Sequence, residues 1–329
     1  LFLTGISLEQ PKNFVESEFL QRELAINWVC MNEEQLKDII MNAHKTGRRS
    51  LVIVSNPLKY LNLFSNLPND CICLLLLSDE GYSRNSRKLA IGSKSVVKVI
   101  RNYSITSAKV NIILNELIRL CSAINKLNGK YRHLVNAVLR GWLSTYRMLL
   151  WRKSKVDISI LPLGYTNKFA KEYAKTFKLT SRQSLFKFAV ENMPSGHKNG
   201  VTFRGTRGQI QRQIDIDLRS IDNQFDLHLL PEPWSGIQEA ASNSENYLQS
   251  LLSNRYTLTP PGFVNNETFR YYEALLCGSM PIEDAVAITH MGTCPSRPIL
   301  KNSTVKQKLE KVLSDITDLR KIISETLNS

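Results

Sequence analysis

Glu267, Arg270 and Glu273 stand three residues apart in a stretch that reads as strand, turn, helix and strand. Residues three or four apart on a helix share a face. A guanidinium between two carboxylates, near a helix N-terminus, suits a ligand carrying both phosphate and sugar hydroxyls. Arginine meets phosphate oxygens through parallel hydrogen bonds. A carboxylate accepts from two adjacent hydroxyls. The free N–H groups and dipole of a helix N-terminus favour an anion such as a diphosphate. Arg270 is the candidate phosphate residue and Glu273 the candidate for sugar hydroxyls. The plainer alternative is a set of solvated or helix-capping charges.

Several elements must position these groups. A strand over 256–259 ends at Pro260, Pro261 and Gly262, residues that permit a sharp turn. Asn265 or Asn266 is the expected N-cap, which puts Glu267 and Thr268 in the first helical turn. Cys277, Gly278 and Ser279 close the helix, and Met280, Pro281 and Ile282 open the next strand. Upstream, Arg204, Gly205, Thr206, Arg207 and Gly208 form a flexible basic turn before an expected helix over 209–220. That is a second phosphate-cradle arrangement, or else a plain basic turn. Residues 1–50 read as helical in parts, with a capped helix from Asn32. Further helices are expected over 58–64, 167–179, 240–252 and 302–327. Strands are expected over 50–55, 70–78, 96–103, 157–162, 184–189 and 224–230. Such alternation predicts an α/β fold with parallel sheets. Three strand ends then present polar residues along one sheet edge: Asp79 and Glu80, Arg101 and Tyr103, Gly164 and Tyr165.

The stretch 256–283 closely resembles the donor-site signature of the exostosin-like glycosyltransferases, and most of all the ribitol xylosyltransferase group and its bacterial relatives. The residues that match are Pro260, Gly262, Glu267, Arg270, Glu273, Gly278, Ser279, Pro281 and Ile282, with Met280 where isoleucine is usual. Ser78–Asp79–Glu80, Arg101–Asn102–Tyr103 and Pro162–Leu163–Gly164–Tyr165 follow in the order of the family's N-terminal half. Phe203, Arg204 and Gly205 resemble the turn that opens its C-terminal domain. The resemblance implies a GT-B fold, two Rossmann-like domains facing each other across a cleft. Residues 1–165 would form the acceptor side, 166–301 the nucleotide-sugar side, and 302–329 a helix packing back across both.

The implied reaction moves a sugar from a nucleotide-diphosphate donor, UDP-xylose or another UDP-sugar, to a hydroxyl of a glycan or polyol-phosphate acceptor. It is expected to invert configuration without a metal. On the donor side the resemblance places Arg204, Gly205, Arg207, Pro261, Gly262, Asn266, Glu267, Thr268, Arg270 and Glu273. Asp79 is the candidate base, with Glu80 as alternate. Arg101, Tyr103, Gly164 and Tyr165 fall on the acceptor side. No cofactor is expected beyond the nucleotide-sugar co-substrate. No aspartate pair stands at a strand end, since Asp215 and Asp217 fall within an expected helix. His133, His197, His228 and His290 show no metal spacing.

The chain of 329 residues has 43 Lys and Arg against 29 acidic residues, a net charge of +14. Such an excess implies an anionic partner. No zinc finger, aromatic RNA-binding pattern or helix-turn-helix is present, so nucleic acid is not the expected partner. A nucleic-acid binder or an inactive GT-B-like binding protein remains the alternative function. The six cysteines are scattered without metal or disulfide spacing, and no apolar run is long enough for a membrane span. A cytoplasmic enzyme of bacterial type is expected, peripheral on the inner membrane surface. The alternative is the Golgi lumen, with an anchor lying outside this sequence. The segment 105–155 has no counterpart in the family pattern. Its second helix, over 130–153, carries Lys130, Arg132, Arg140, Arg147, Arg152 and Lys153 off an apolar stripe. It fits either an accessory hairpin or an interfacial helix on anionic lipid. On the second reading, deleting residues 107–153 lowers binding to anionic liposomes in a sedimentation assay. Unchanged binding removes the lipid role.

Overall fold

A computed structural model describes residues 3–55, 57–77, 93–102, 156–193, 198–205, 225–229, 244–259, 268–282 and 304–329. The order begins with β1 (Leu3–Ser7), α1 (Ser17–Glu23), β2 (Ile26–Cys30), α2 (Glu33–Lys45), β3 (Ser50–Val54), α3 (Leu61–Ser65), β4 (Ile72–Leu76), β5 (Val96–Asn102) and β6 (Asp157–Leu161). It continues with α4 (Asn167–Thr176), α5 (Leu185–Glu191), β7 (Lys198–Gly205), β8 (Phe225–Leu229), α6 (Ser244–Ser253), β9 (Asn254–Leu258), α7 (Phe269–Leu276), β10 (Met280–Ile282) and α8 (Val305–Asn328). The expected segment 105–155, the turn at 206–208 and the helix over 209–220 lie outside the described residues.

Six strands form one parallel sheet in the order β2-β1-β3-β4-β5-β6. Four more form a second parallel sheet, β10-β9-β7-β8. The α/β class with parallel sheets therefore holds. β3 and β4 are buried on both faces along their whole length, which is why they read as continuous apolar runs. Apolar residues on one face of the first sheet pack with α2 and α3 around Ile6, Val52, Leu74 and Val99. Those on the other face join a larger cluster that continues through α1, α4, α5, α6, α7 and α8. That cluster runs without a break from Ile53 and Leu75 in the first sheet to Tyr247 and Tyr271 beside the second.

Three elements depart from the sequence expectation. Residues 1–50 contain β1 and β2 as well as helices. β1 is short and holds Gly5, a residue that ordinarily weakens a strand. Glycine fits the close packing there: a Cβ would lie 2.5 Å from the end of the Ile53 side chain, which would have to shift. The segment 184–189, expected as a strand, belongs to α5. Ser184 caps that helix through the Lys187 N–H, and Leu185, Phe186 and Ala189 are buried. A further tie holds α5 in place: buried Glu23 accepts from the Ser184 hydroxyl and the Leu185 N–H. Burial raises the Glu23 pKa, against the lowering effect of these bonds.

α2 and α8 match their expected helices. Asn32 with Gln35, and Thr304 with Gln307, close reciprocal capping boxes. α8 packs against α5 and α7 and reaches β4 and β6 of the first sheet. Its end is tied to Arg49, whose side chain donates to the Thr326 carbonyl.

The loop after β6 turns on Gly164, at φ +71, where a Cβ would lie 2.3 Å from the Phe19 ring. Left-handed backbone and overpacking both oppose a side chain here. Gly164→Ala is expected to lower the unfolding free energy by about 2–4 kcal/mol, read in a denaturant titration.

Candidate functional site

The second sheet sets the place of the site. The chain passes from β7 to β8 on one side, then crosses to β9 on the other side of β7. The carboxyl ends of β7 and β9 thus flank a topological switch point, where open parallel sheets bind ligands. Arg204 and Gly205 end β7. Thr259 follows β9, and the chain re-enters at Thr268 to start α7. Sequence residues 204–205 and 268–273, far apart in the chain, are thereby brought to one sheet edge.

α7 begins later than expected. Its N-cap is Thr268, not Asn265 or Asn266. Glu267 lies outside the described residues, so within α7 the expected set is Arg270 and Glu273. The Thr268 side chain makes no capping bond, is 7% exposed, and its hydroxyl has no hydrogen-bond partner. Such a buried hydroxyl is costly unless something else satisfies it.

Arg270 is half-buried in the first turn of the helix. It makes no hydrogen bond or ion pair with the described residues. Burial of its guanidinium away from water lowers its pKa; Tyr247 opposes that shift, Arg204 adds to it, and Glu273 opposes it. Arginine stays protonated regardless. Arg204 stacks on Tyr247 of α6, its Cζ 4.7 Å from the ring centroid. Two guanidiniums therefore share one electrostatic neighbourhood at a helix N-terminus, a setting made for a polyanion.

Glu273 is buried, with 1% exposure. Its Oε1 accepts from the Thr166 N–H at 3.2 Å and from the Thr166 hydroxyl at 2.9 Å. Thr166 caps α4, just beyond β6 of the first sheet. Glu273 Oε2 accepts no hydrogen bond among the described residues. Tyr173 adds a second tie, donating to the Leu276 carbonyl.

Residues 221–317 match the family model described as RXYLT1 C-terminal domain. The matched span covers less than a third of the chain. It supports a relation to an RXYLT1-like, glycosyltransferase-like family. It includes Tyr247, Thr268, Arg270 and Glu273 and leaves Arg204 outside. No curated protein matches the chain.

The acceptor-side candidates occupy the carboxyl edge of the first sheet, where β4, β5 and β6 are neighbours. Arg101 and Asn102 end β5 and are both buried. Asn102 donates to Glu16 at 2.8 Å, while its own amide oxygen is buried without a partner. Tyr165 is fully buried; it donates to Glu23 at 2.7 Å and packs edge-on against Phe19. Gly164 is the left-handed turn described above. Asp79, Glu80, Tyr103, Arg207, Pro261, Gly262, Asn266 and Glu267 lie outside the described residues. Among the described residues no group of three or more His, Cys, Asp or Glu side chains is arranged to hold a metal ion. No helix among them is long and apolar enough to cross a membrane.

Sequence reasoning missed Tyr247 and Thr166. A lone tyrosine in an amphipathic helix carries no signal beyond core packing. Thr166 stands just before the helix expected over 167–179, and nothing local in the sequence marks its bond to Glu273.

Glu273→Ala leaves two donors of Thr166 without an acceptor, and is expected to cost about 1–3 kcal/mol of stability. Glu273→Gln keeps an acceptor oxygen and costs less. In a double-mutant cycle with Thr166→Val, chemical denaturation should show the two sites coupled rather than additive.

Proposed function

We propose that this chain is a glycosyltransferase that binds a nucleotide-diphosphate sugar at the β7/β9 switch point. The observation that carries the reading is Arg270, half-buried at the start of α7, without a hydrogen bond or ion pair among the described residues, within electrostatic reach of Arg204 and inside the span that matches the RXYLT1 C-terminal domain. The diphosphate lies between the two arginines and the N-terminus of α7. There it offsets like charges that otherwise repel each other. The Thr268 hydroxyl donates to it or to the adjoining sugar. Glu273 offers Oε2 to a sugar hydroxyl, while Thr166 holds Oε1.

The chemistry follows from those placements. As the sugar–phosphate bond breaks, the sugar becomes oxocarbenium-like and the leaving diphosphate gains charge. Fixed cations and a helix N-terminus stabilise that charge without rearranging. The acceptor hydroxyl loses its proton to a carboxylate at the carboxyl edge of the first sheet, with Asp79 the proposed base and Glu80 its alternate. The two sheets then belong to the two sides of a GT-B arrangement, 1–165 and 166–301. The favoured donor is a UDP-sugar, UDP-xylose first. The favoured acceptor is a hydroxyl of a glycan or polyol phosphate, and the transfer is inverting and metal-independent. The excess basic charge supports an anionic or membrane-bound acceptor and a peripheral, cytoplasmic location.

A thermal-shift screen against a panel of nucleotide sugars tests the reading. A bound donor at a hundred times its Kd stabilises the fold by about 2.7 kcal/mol, a shift of a few degrees. Arg270→Met, which keeps the volume and removes the charge, is expected to melt no lower than wild type when unliganded. It should lose the ligand-induced shift. A wild-type chain unmoved by every nucleotide sugar ends the proposal.

A further inference from the structure

We propose that the carboxyl ends of β1 and β3 form a second subsite, where Glu9 and Gln10 take the hydroxyls of a neutral sugar or polyol. Its role as the place for the hydroxyl-bearing part of an acceptor rests on the transferase reading above; the subsite itself stands on the first sheet alone. The chain goes from β1 to β2 on one side, then crosses to β3 on the other side of β1. The first sheet thus has a switch point of its own, and open parallel sheets bind ligands at the carboxyl edge there. Ser7 builds the turn that follows β1. Its buried hydroxyl donates to the Ile53 carbonyl in β3 at 2.7 Å and accepts from the Glu9 N–H at 2.9 Å. The Glu9 carboxylate reaches across to the end of β3. There its Oε1 accepts from the Ser55 N–H at 3.2 Å and its Oε2 from the Ser55 hydroxyl at 2.7 Å.

Glu23 and Glu273 also accept several hydrogen bonds, but both are sealed inside the protein. Glu9 is held as firmly and is half-exposed, as is Ser55. Tyr60 is buried beside it; burial, the charge of Glu9 and a hydrogen bond to it push the Tyr60 pKa up to about 12. The phenol therefore keeps its proton and donates it to Glu9. A carboxylate has about four lone-pair sites, so three donors leave it room for one more. With its own proton given to Glu9, the Ser55 oxygen is an acceptor as well. A fixed set of acceptors suits a hydroxyl, which donates, and repels a phosphate. Gln10 is exposed, and its amide N–H donates to the Cys30 sulfur at 3.3 Å. Sulfur is a weak acceptor, so the amide is readily given up to a hydroxyl oxygen. A carboxylate and an amide side by side can accept from one hydroxyl of a sugar and donate to its neighbour. Lys59, whose Nζ stands 5.5 Å from the Tyr60 ring centroid, disfavours a cation in the same place. β4, beside β3 in the sheet, is the strand that leads in sequence to Asp79, the proposed base.

Saturation-transfer NMR on the full chain tests the subsite, with sorbitol, mannitol and the methyl pyranosides of glucose and galactose as probes. Wild type is expected to saturate the carbon-bound protons of at least one probe, and pyrophosphate should not displace it. Glu9→Gln keeps the shape and an acceptor for the Ser55 N–H, while the Ser55 hydroxyl can turn to accept from the new amide. It should melt close to wild type and raise the apparent Kd of the probe about ten-fold, the scale of a hydrogen bond to a charged group. Gln10→Ala, at an exposed position, should raise it about three-fold, and keeps the test decisive if Glu9→Gln does not fold. No saturation of any probe, displacement by pyrophosphate, or an unchanged Kd in the folded variants overturns the subsite. If the variants weaken the probe while no nucleotide sugar shifts the melting temperature of wild type, the subsite stands and the donor-site reading falls. If nucleotide sugars shift wild type while the variants bind the probe as before, only the subsite falls.

Discussion

A carboxylate that is 1% exposed has to be paired, and Glu273 is paired across the molecule. Both donors of Thr166 converge on its Oε1. Thr166 follows the last strand of the first sheet, and Glu273 sits on the helix beside the second. One buried oxygen therefore joins the carboxyl edge of one sheet to the helix that carries the candidate anion site. The tie also decides the state of Arg270. An arginine and a glutamate three apart on a helix ordinarily attract each other. Here the glutamate is committed elsewhere, and no ion pair forms between the two among the described residues. Glu273 acts on Arg270 only as an electrostatic neighbour, not as an ion-pair partner.

That arrangement explains why stability and ligand binding are divided between two adjacent side chains. Glu273 belongs to a network that would be strongly penalised if broken, because its partners are buried. Arg270 is the opposite case. Its charge, close to that of Arg204, would gain from the anion proposed above. The Thr268 hydroxyl shows the same sign, buried and unpartnered where an N-cap would normally be satisfied. These features stand side by side without compensation among the described residues, which fits the anion site proposed above.

Much of the frame was legible because its signals are local. The apolar runs of β3 and β4, the capping box at Asn32 and the glycine stop at Gly278 each depend on residues close in sequence. The failures share a cause as well. β1 is short and contains a glycine, and only its contact with Ile53 across the sheet explains why. α5 carries apolar residues too closely spaced to separate helix from strand, and its cap is held by Glu23 from α1, 161 residues away. In the site, Arg270 and Glu273 were found from spacing, while the N-cap was misplaced by two or three residues. Their partners Tyr247 and Thr166 were not found, since a long-range contact leaves no pattern in a single chain.

The turn between β6 and α4 shows how these long-range contacts bear on the site. Gly164 takes a left-handed conformation against the Phe19 ring, and Tyr165 is locked by its bond to Glu23. Asn167 is held from the other side, donating to the Phe14 carbonyl and accepting from the Glu18 N–H. Thr166 lies between these anchors, so its N–H and hydroxyl reach Glu273 from a fixed direction. Gly164 and Tyr165, expected on the acceptor side, thus take part in setting the orientation of α7. Through α7 they fix where Arg270 stands relative to the edge of the first sheet. A donor at the β7/β9 switch and an acceptor at that edge would therefore meet at a separation set by this turn, and packing around Phe19 becomes part of the site's geometry.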